Sequence, residues 1–318
     1  MLRSTLLFLS RQPRLFRFVR HNRFAKAMAS RFVAGETVDS AVAAVQRLNA
    51  QGISASLDLL GESVTNETEA RAAGTEYVRL LDAIAQHTLD ANVSIKLTAM
   101  GQDIDDDLCE SIMRTILDRA RERAGFVRLD MEGSAYTQRT LDFFERRLHE
   151  PYPDTVGIVL QSALRRTPAD VERAIALGCR VRLCKGAYLE AADVAFPSKA
   201  DVDRNYVTCM KVLMERGRYP GIATHDPAIL SAATAFATEK GIDRSRFEFQ
   251  MLYGVRRDLQ ERLSRDGYRL RVYVPFGTQW YPYLMRRLAE RPANLAFMTG
   301  NILREFAGRR NAEGRPTS

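Results

Sequence analysis

The sequence predicts an α/β fold: a distorted (βα)8 TIM barrel with an N-terminal helical arm and a final helix over the barrel mouth. Three observations carry that expectation. Short β-like runs alternate with longer amphipathic stretches eight times over. Beyond the arm about 280 residues remain, enough for such a barrel. No GxGxxG follows the first β-like run, which removes the main support for a doubly wound dinucleotide-binding sheet, the alternative α/β arrangement.

The arm, residues 1–34, comes first. Between Met1 and Arg31 stand seven arginines and one lysine, with no acid before Glu36. Those eight cations equal the whole formal excess of +8, so the rest of the chain is charge-balanced. Leu6 to Leu9, Leu15, Phe16, Phe18, Val19 and Phe24 give the arm an apolar side. Three readings stay open: a mitochondrial presequence, a helix on an anionic membrane surface through residues 1–30, or a terminal helix covering one end of the fold. Nucleic acid is not an expected partner, because the body offers no further basic excess.

Residues 35–318 are the expected catalytic barrel. Its strand-like runs are Ile53–Leu60, Val93–Thr98, Phe126–Met131, Val156–Leu160, Arg180–Lys185, Gly221–His225, Phe247–Leu252 and Arg269–Phe276. Between them lie helical patterns at Glu67–His87, Asp106–Arg123, Thr137–His149, Pro168–Leu177, Ala200–Glu215, Pro227–Lys240 and Arg256–Arg265. No run approaches the ~18 consecutive apolar residues of a membrane span. The four cysteines are scattered, with no CxxC pair and no histidine at metal spacing, so reduced thiols and no metal site are expected.

Barrels of this class do chemistry at the C-terminal ends of their strands. Here those ends carry Lys96, Asp130 and Glu132, Gln161, Arg182 with Lys185-Gly186-Ala187-Tyr188, Thr224-His225-Asp226, Gln250 to Tyr253, and Tyr273. An inert core would not need so many polar groups there. Lys96 follows the apolar Val93–Ile95, and a buried lysine needs a partner. Asp130 on the neighbouring strand is the expected one, in a structural ion pair or beside a substrate-contacting cation. Lys185 is open to a Schiff-base role, which would make the protein a metal-free aldolase or isomerase. His225 is the single histidine at a strand end, either a structural hydrogen-bonding residue or a base. No GxSxG elbow supports a serine nucleophile.

Past the last strand, Tyr283, Arg286, Arg287 and Glu290 fall at i, i+3, i+4 and i+7 of a helical pattern. Two adjacent guanidiniums keep ten donors between them and match a carboxylate or phosphate. With Tyr273, Trp280 and Tyr281 nearby in sequence, they read as an anion site walled by aromatic rings. A site rich in Arg, Tyr, Gln and Lys, without metal or nucleophile, suits a cofactor that does the chemistry itself. The non-enzymatic alternative, a membrane-surface adaptor on an inert barrel, leaves the polar strand ends unexplained.

The series Ser94-Ile95-Lys96-Leu97, Leu129-Asp130-Met131-Glu132, Leu160-Gln161, Arg182 to Tyr188, Ala223-Thr224-His225, Glu248 to Leu252 and Tyr283 to Glu290 resembles the proline dehydrogenase family. The match runs in order from about Arg31 to Asn301, and the length is similar to the short, monofunctional bacterial form. The resemblance implies FAD-dependent oxidation of L-proline to Δ1-pyrroline-5-carboxylate by hydride transfer to flavin N5, the first step of proline catabolism to glutamate. It implies a membrane quinone as electron acceptor, and a cytoplasmic enzyme touching the inner face of the cytoplasmic membrane, or the matrix side of the mitochondrial inner membrane. Catalytic and substrate-binding roles fall on Lys96, Asp130, Tyr273, Arg286 and Arg287, with Tyr188, Leu252 and Tyr283 walling the ring. Flavin-binding roles fall on Gln161, Arg182, Lys185 and Gly186, and on Thr224, His225, Gln250 and Glu290. Tyr273 implies proline over hydroxyproline, since its bulky phenol crowds a ring hydroxyl.

Overall fold

The polar and apolar residues of the strands alternate, and that alternation decides which side chains fill the barrel. The structure, a computed structural model, describes residues 29–61 and 63–290, with side chains described as far as Met285. Eight strands form a closed barrel in sequence order with every neighbour parallel. They are β1 (Ser54–Leu59), β2 (Ala91–Ile95), β3 (Val127–Leu129), β4 (Val156–Gln161), β5 (Arg180–Cys184), β6 (Arg218–Ala223), β7 (Glu248–Leu252) and β8 (Leu270–Phe276).

Helix α1 (Val38–Asn49) precedes β1, and a Thr37–Ser40 capping box starts it. Then α2 (Glu67–Gln86), α3 (Asp106–Glu122), α4 (Ser134–Phe143), α5 (Thr167–Ala176), α6 (Lys199–Arg216), α7 (Pro227–Lys240) and α8 (Arg257–Arg265) follow successive strands. Their apolar faces meet the outward residues of the strands, such as Leu57, Val93, Leu129, Leu183, Phe249 and Val272, in one continuous core. Helix α9 (Trp280–Glu290) falls in a separate compact unit from the barrel, which comprises Ser30–Thr278. No described helix is long and apolar enough to cross a membrane.

The registers place Ser56, Ser94, Arg128, Arg182, Gln250, Arg271 and Tyr273 on the inner face. Aliphatic layers ordinarily fill such a barrel; here arginines and their partners do. Two bare positions make the room. A Cβ at Gly157 of β4 would stand 2.8 Å from Nη1 of Arg128, and one at Gly221 of β6 would stand 2.5 Å from Nε2 of Gln250. Strand β6 holds one residue more than β5 between Arg218 and Gly221, and Tyr219 takes a φ of +47° at that bulge.

The chain enters the barrel at its mouth. The Ala34 amide donates to the Pro275 carbonyl at 2.8 Å, and the Gly277 amide to the Gly35 carbonyl at 2.9 Å. Gly254, just past β7, lies so close to the Arg31 carbonyl that no side chain fits there. Residues 31–35 therefore cross the C-terminal ends of β7 and β8.

Candidate active site

Arg182, in the middle of β5, is the hub. Its Nε donates to Oε1 of Gln250 at 2.5 Å, and Nη2 to Ser56 at 3.2 Å. Nη1 donates to Oδ1 of Asp130 at 2.7 Å and to Ser94 at 3.1 Å. The guanidinium lies 5.3 Å from the Tyr273 ring centroid. Side chains from β1, β2, β7 and the residue after β3 thus fix one cation in a nearly dry lumen. Four donors satisfied by rigid strands leave it one orientation.

Asp130 takes a second hydrogen bond from the Tyr273 hydroxyl, at 2.7 Å. Burial, then the charges of Asp130 and Asp58, hold the Tyr273 phenol well above its ordinary pKa, so it stays a neutral donor. The expected Lys96–Asp130 pair does not form. Nζ of Lys96 instead faces Asp58 of β1, 3.3 and 3.4 Å from its two carboxylate oxygens. The reason is competition: Arg182 and Tyr273 already occupy both oxygens of Asp130, and β1 flanks β2 as closely as β3 does. Asp58 was missed, together with Ser56. The signal available was the alternation Ser54-Ala55-Ser56-Leu57-Asp58-Leu59, which puts three polar side chains on one face.

At the ends of β4 and β5, Nε2 of Gln161 donates to the Glu132 carbonyl at 2.8 Å. Gly186 takes a φ of +105°, and a Cβ there would stand 3.1 Å from Oε1 of Gln161. Lys185 sits between Asp203 at 2.5 Å and Asp226 at 2.8 Å, and Lys199 touches the same two carboxylates. Burial opposes ionisation of Asp226, yet the two lysines outweigh it and hold the carboxyl at about 2. A Schiff-base lysine needs apolar or cationic surroundings that free its amine; Lys185 has two anions. That arrangement speaks against the aldolase alternative.

On the far side, Nε2 of His225 accepts from the Leu252 amide at 2.8 Å. The proton of a neutral ring is then on Nδ1, and the ring ties the ends of β6 and β7 together. Thr224 is buried and accepts from the Asp226 amide at 3.1 Å. The Gln250 carboxamide is used inside the lumen, between Arg182 and Oε1 of Glu248. Tyr188 is exposed and Leu252 half-buried at the mouth. Tyr283 is described in α9, whereas the side chains of Arg286, Arg287 and Glu290 lie outside the described residues. A 240 Å³ cavity opens beside the end of β1, lined chiefly by Leu59, Leu60, Val64, Ala73 and Tyr77. None of the sequence-predicted site residues lines it.

A parallel (βα)8 barrel with a fixed, buried cation and polar groups at its strand ends defines the class as a barrel enzyme. The comparisons narrow the class. A family model described as proline dehydrogenase matches residues 41–300. Proline dehydrogenase 1 of Bacillus subtilis subsp. natto is 41% identical over 310 residues, covering 96% of this chain and all of that protein. The proline dehydrogenase of Deinococcus radiodurans is 40% identical over 305 residues, covering 95% of this chain and 98% of that protein. Among solved structures, proline utilization A of Bdellovibrio bacteriovorus, inactivated by N-propargylglycine, superposes with a TM-score of 0.79 at 29% identity. That likeness spans 87% of this chain and 34% of the larger protein. The chain belongs to the proline dehydrogenase family.

Proposed function

We propose that this chain binds FAD and oxidises L-proline to Δ1-pyrroline-5-carboxylate, the first step of proline breakdown to glutamate, with the electrons passed to a membrane quinone. The observation that carries the reading is Arg182, a cation held by four partners inside the lumen of a chain in this family. A donor fixed before the reaction needs no reorganisation when negative charge develops beside it.

The residues present fit a flavin. The bare backbone at Gly186 and the side-chain amide oxygen of Gln161 beside it make a cradle that a side chain would fill. Gln161, Arg182, Lys185 and Gly186 would hold the group from β4 and β5, with Thr224, His225, Gln250 and Glu290 completing the set. FAD supplies, when bound, the hydride acceptor that no side chain provides.

The chain's own residues do the rest. Arg286 and Arg287, with Lys96 as a third cation, take the substrate carboxylate; a bidentate clamp fixes orientation as well as charge. Tyr273, Tyr283, Tyr188 and Leu252 wall the pyrrolidine ring. Asp130 takes the proton of the Tyr273 hydroxyl, so that phenol crowds a ring hydroxyl and has no donor left to offer it, which favours proline over hydroxyproline. In this reading residues 1–34 are a membrane-contacting arm and 35–318 the catalytic domain.

A visible spectrum before and after anaerobic L-proline tests the chemistry. Flavin bands that bleach with proline are expected; a colourless protein that FAD cannot reconstitute refutes it. For the arm, a protein lacking residues 1–30 should sediment less with anionic vesicles than the full chain, and equal sedimentation removes the membrane role.

A further inference from the structure

Asp58 is a buried carboxylate at the end of β1 that the functional reading leaves without a role. Its side chain is 1% exposed and that of Lys96 11%. Lys96 straddles both oxygens at 3.3 and 3.4 Å, longer than the ~2.7–2.9 Å of a tight charge-assisted hydrogen bond. Charge more than hydrogen-bond geometry therefore holds the pair. Other ionisable groups face it: Asp130 after β3, Tyr273 of β8, and Tyr77 of α2 from outside the barrel. Glu132 lies beyond, bonded to Thr98 at 2.9 Å. Asp130 is committed to Arg182 and Tyr273. Burial pushes the Asp58 carboxyl above its ordinary value, and the Lys96 charge opposes that rise without cancelling it.

We propose that Asp58 is the positioning residue for Lys96, keeping the ammonium charged and fixed at the barrel mouth so that it can take the substrate carboxylate. The inference rests on the proline-oxidising function proposed above. Two effects compete. Asp58 is itself an anion and repels an incoming carboxylate; it also stabilises the cation that attracts one. The second effect wins where a lysine without the Asp58 charge beside it would lose its proton, since burial lowers lysine pKa values by as much as ~3–5 units. It matters little where that lysine would stay charged. The signature of Asp58 is therefore a pH-dependent effect on proline affinity, which a merely structural residue would not produce.

The experiment compares the KM for L-proline between pH 6 and 9 in the flavin-loaded wild type, Asp58→Asn, Lys96→Met and the double variant. The ratio of variant to wild type cancels the substrate's own ionisation. For Asp58→Asn that ratio should stay within about threefold at pH 6 and exceed about tenfold at pH 9, a factor of ten per pH unit being the limit. Adding Asp58→Asn to Lys96→Met should leave KM unchanged within about twofold at every pH, because the residue acts through Lys96. A ratio that does not change with pH, or a rise that persists in the Lys96→Met background, overturns the proposal. Should Asp58→Asn not fold, Asp58→Glu is read in the same series. It keeps the charge, so its ratio should be flat, and a rise with pH overturns the proposal. A wild type that oxidises proline beside a flat Asp58→Asn ratio sinks this inference alone. A wild type that does not oxidise proline sinks the functional reading and this inference with it.

Discussion

Replacing Asp130 by asparagine breaks the centre of the network without changing its shape. Asp130 accepts two hydrogen bonds of 2.7 Å, from Nη1 of Arg182 and from the Tyr273 hydroxyl. Asparagine offers one oxygen and one NH₂ group, so whichever way it turns, one donor meets a donor. The pair is nearly buried, with side chains 7% and 13% exposed. Removing one partner of such a pair typically costs ~3–5 kcal/mol, because the other charge stays buried. Arg182 keeps Gln250, Ser94 and Ser56, which puts the expectation at the lower end, about 3 kcal/mol. At ~2–4 °C per kcal/mol for a domain of this size, the melt should fall by ~6–12 °C. Tyr273→Phe removes a single hydroxyl and should cost about 1 kcal/mol. In Asp130→Asn that hydroxyl has already lost its anionic acceptor, so the two losses should not add. Urea unfolding followed by far-ultraviolet circular dichroism measures Asp130→Asn, Tyr273→Phe and the double variant. An Asp130→Asn loss under about 1 kcal/mol, or losses additive within ~0.3–0.5 kcal/mol, would refute the network as the element that fixes Arg182.

Gly186→Ala places a methyl 3.1 Å from Oε1 of Gln161 at a φ of +105°. Purified protein should carry several-fold less FAD at unchanged solubility, and full flavin content refutes the cradle. Arg287→Met should raise the KM for proline at least tenfold at near-normal flavin content; loss of FAD instead would assign that arginine to the cofactor. Asp226→Asn addresses pH. The folded carboxyl titrates at about 2 against an ordinary 3.8, so its ion pairs stabilise the wild type fully above that ordinary value. The advantage disappears as the pH falls through about 2. Stability curves of wild type and variant should therefore converge on acidification over that window, and parallel curves count against the pairing.

What was legible in the sequence depended on how local the signal was. Helix α7 was expected at Pro227–Lys240 and is found there, because Asp226 caps it, Pro227 opens it and Gly241 at φ +63° closes it. Helix α4 begins three residues before its expected start at Thr137. The amide and hydroxyl of Ser134 bind Glu190, 56 residues away, a cap that no local pattern reveals. Its far end passes into a π turn over Phe144–His149. Strand β6 starts at Arg218 rather than Gly221, hidden by Pro220 and the Tyr219 bulge. Helix α1 was not anticipated within the region beyond the arm. At the site, the Lys96–Asp130 pair was wrong for a non-local reason. Strand order makes β1 and β3 equal neighbours of β2, and only the Arg182 claim on Asp130 decides between them.

The polar filling of the barrel explains how a flexible arginine becomes a fixed one. From Asp130 the hydrogen bonds run through Arg182 to Gln250, from Gln250 to Glu248 at 2.6 Å, and from Glu248 to Nε of Arg271 at 2.9 Å. Nη1 of Arg271 ends the column on the Ala55 carbonyl at 2.7 Å. Burial opposes the charge of Glu248, but Arg271 outweighs it and holds the carboxyl below its ordinary value. Arg128 shares the lumen, and burial lowers its guanidinium to about 9. Such a filling gives up apolar contacts and desolvates charges, so it cannot be justified by stability. Its effect is orientational. An aliphatic layer beneath Arg182 would leave Nε without an acceptor, whereas Gln250, itself clamped by Glu248, accepts from Nε and adds a restraint to those from Asp130, Ser94 and Ser56. The floor of the barrel thus belongs to the site at its mouth. Substitutions at Glu248 or Arg271 should therefore act on the chemistry through Arg182, without either residue reaching the substrate.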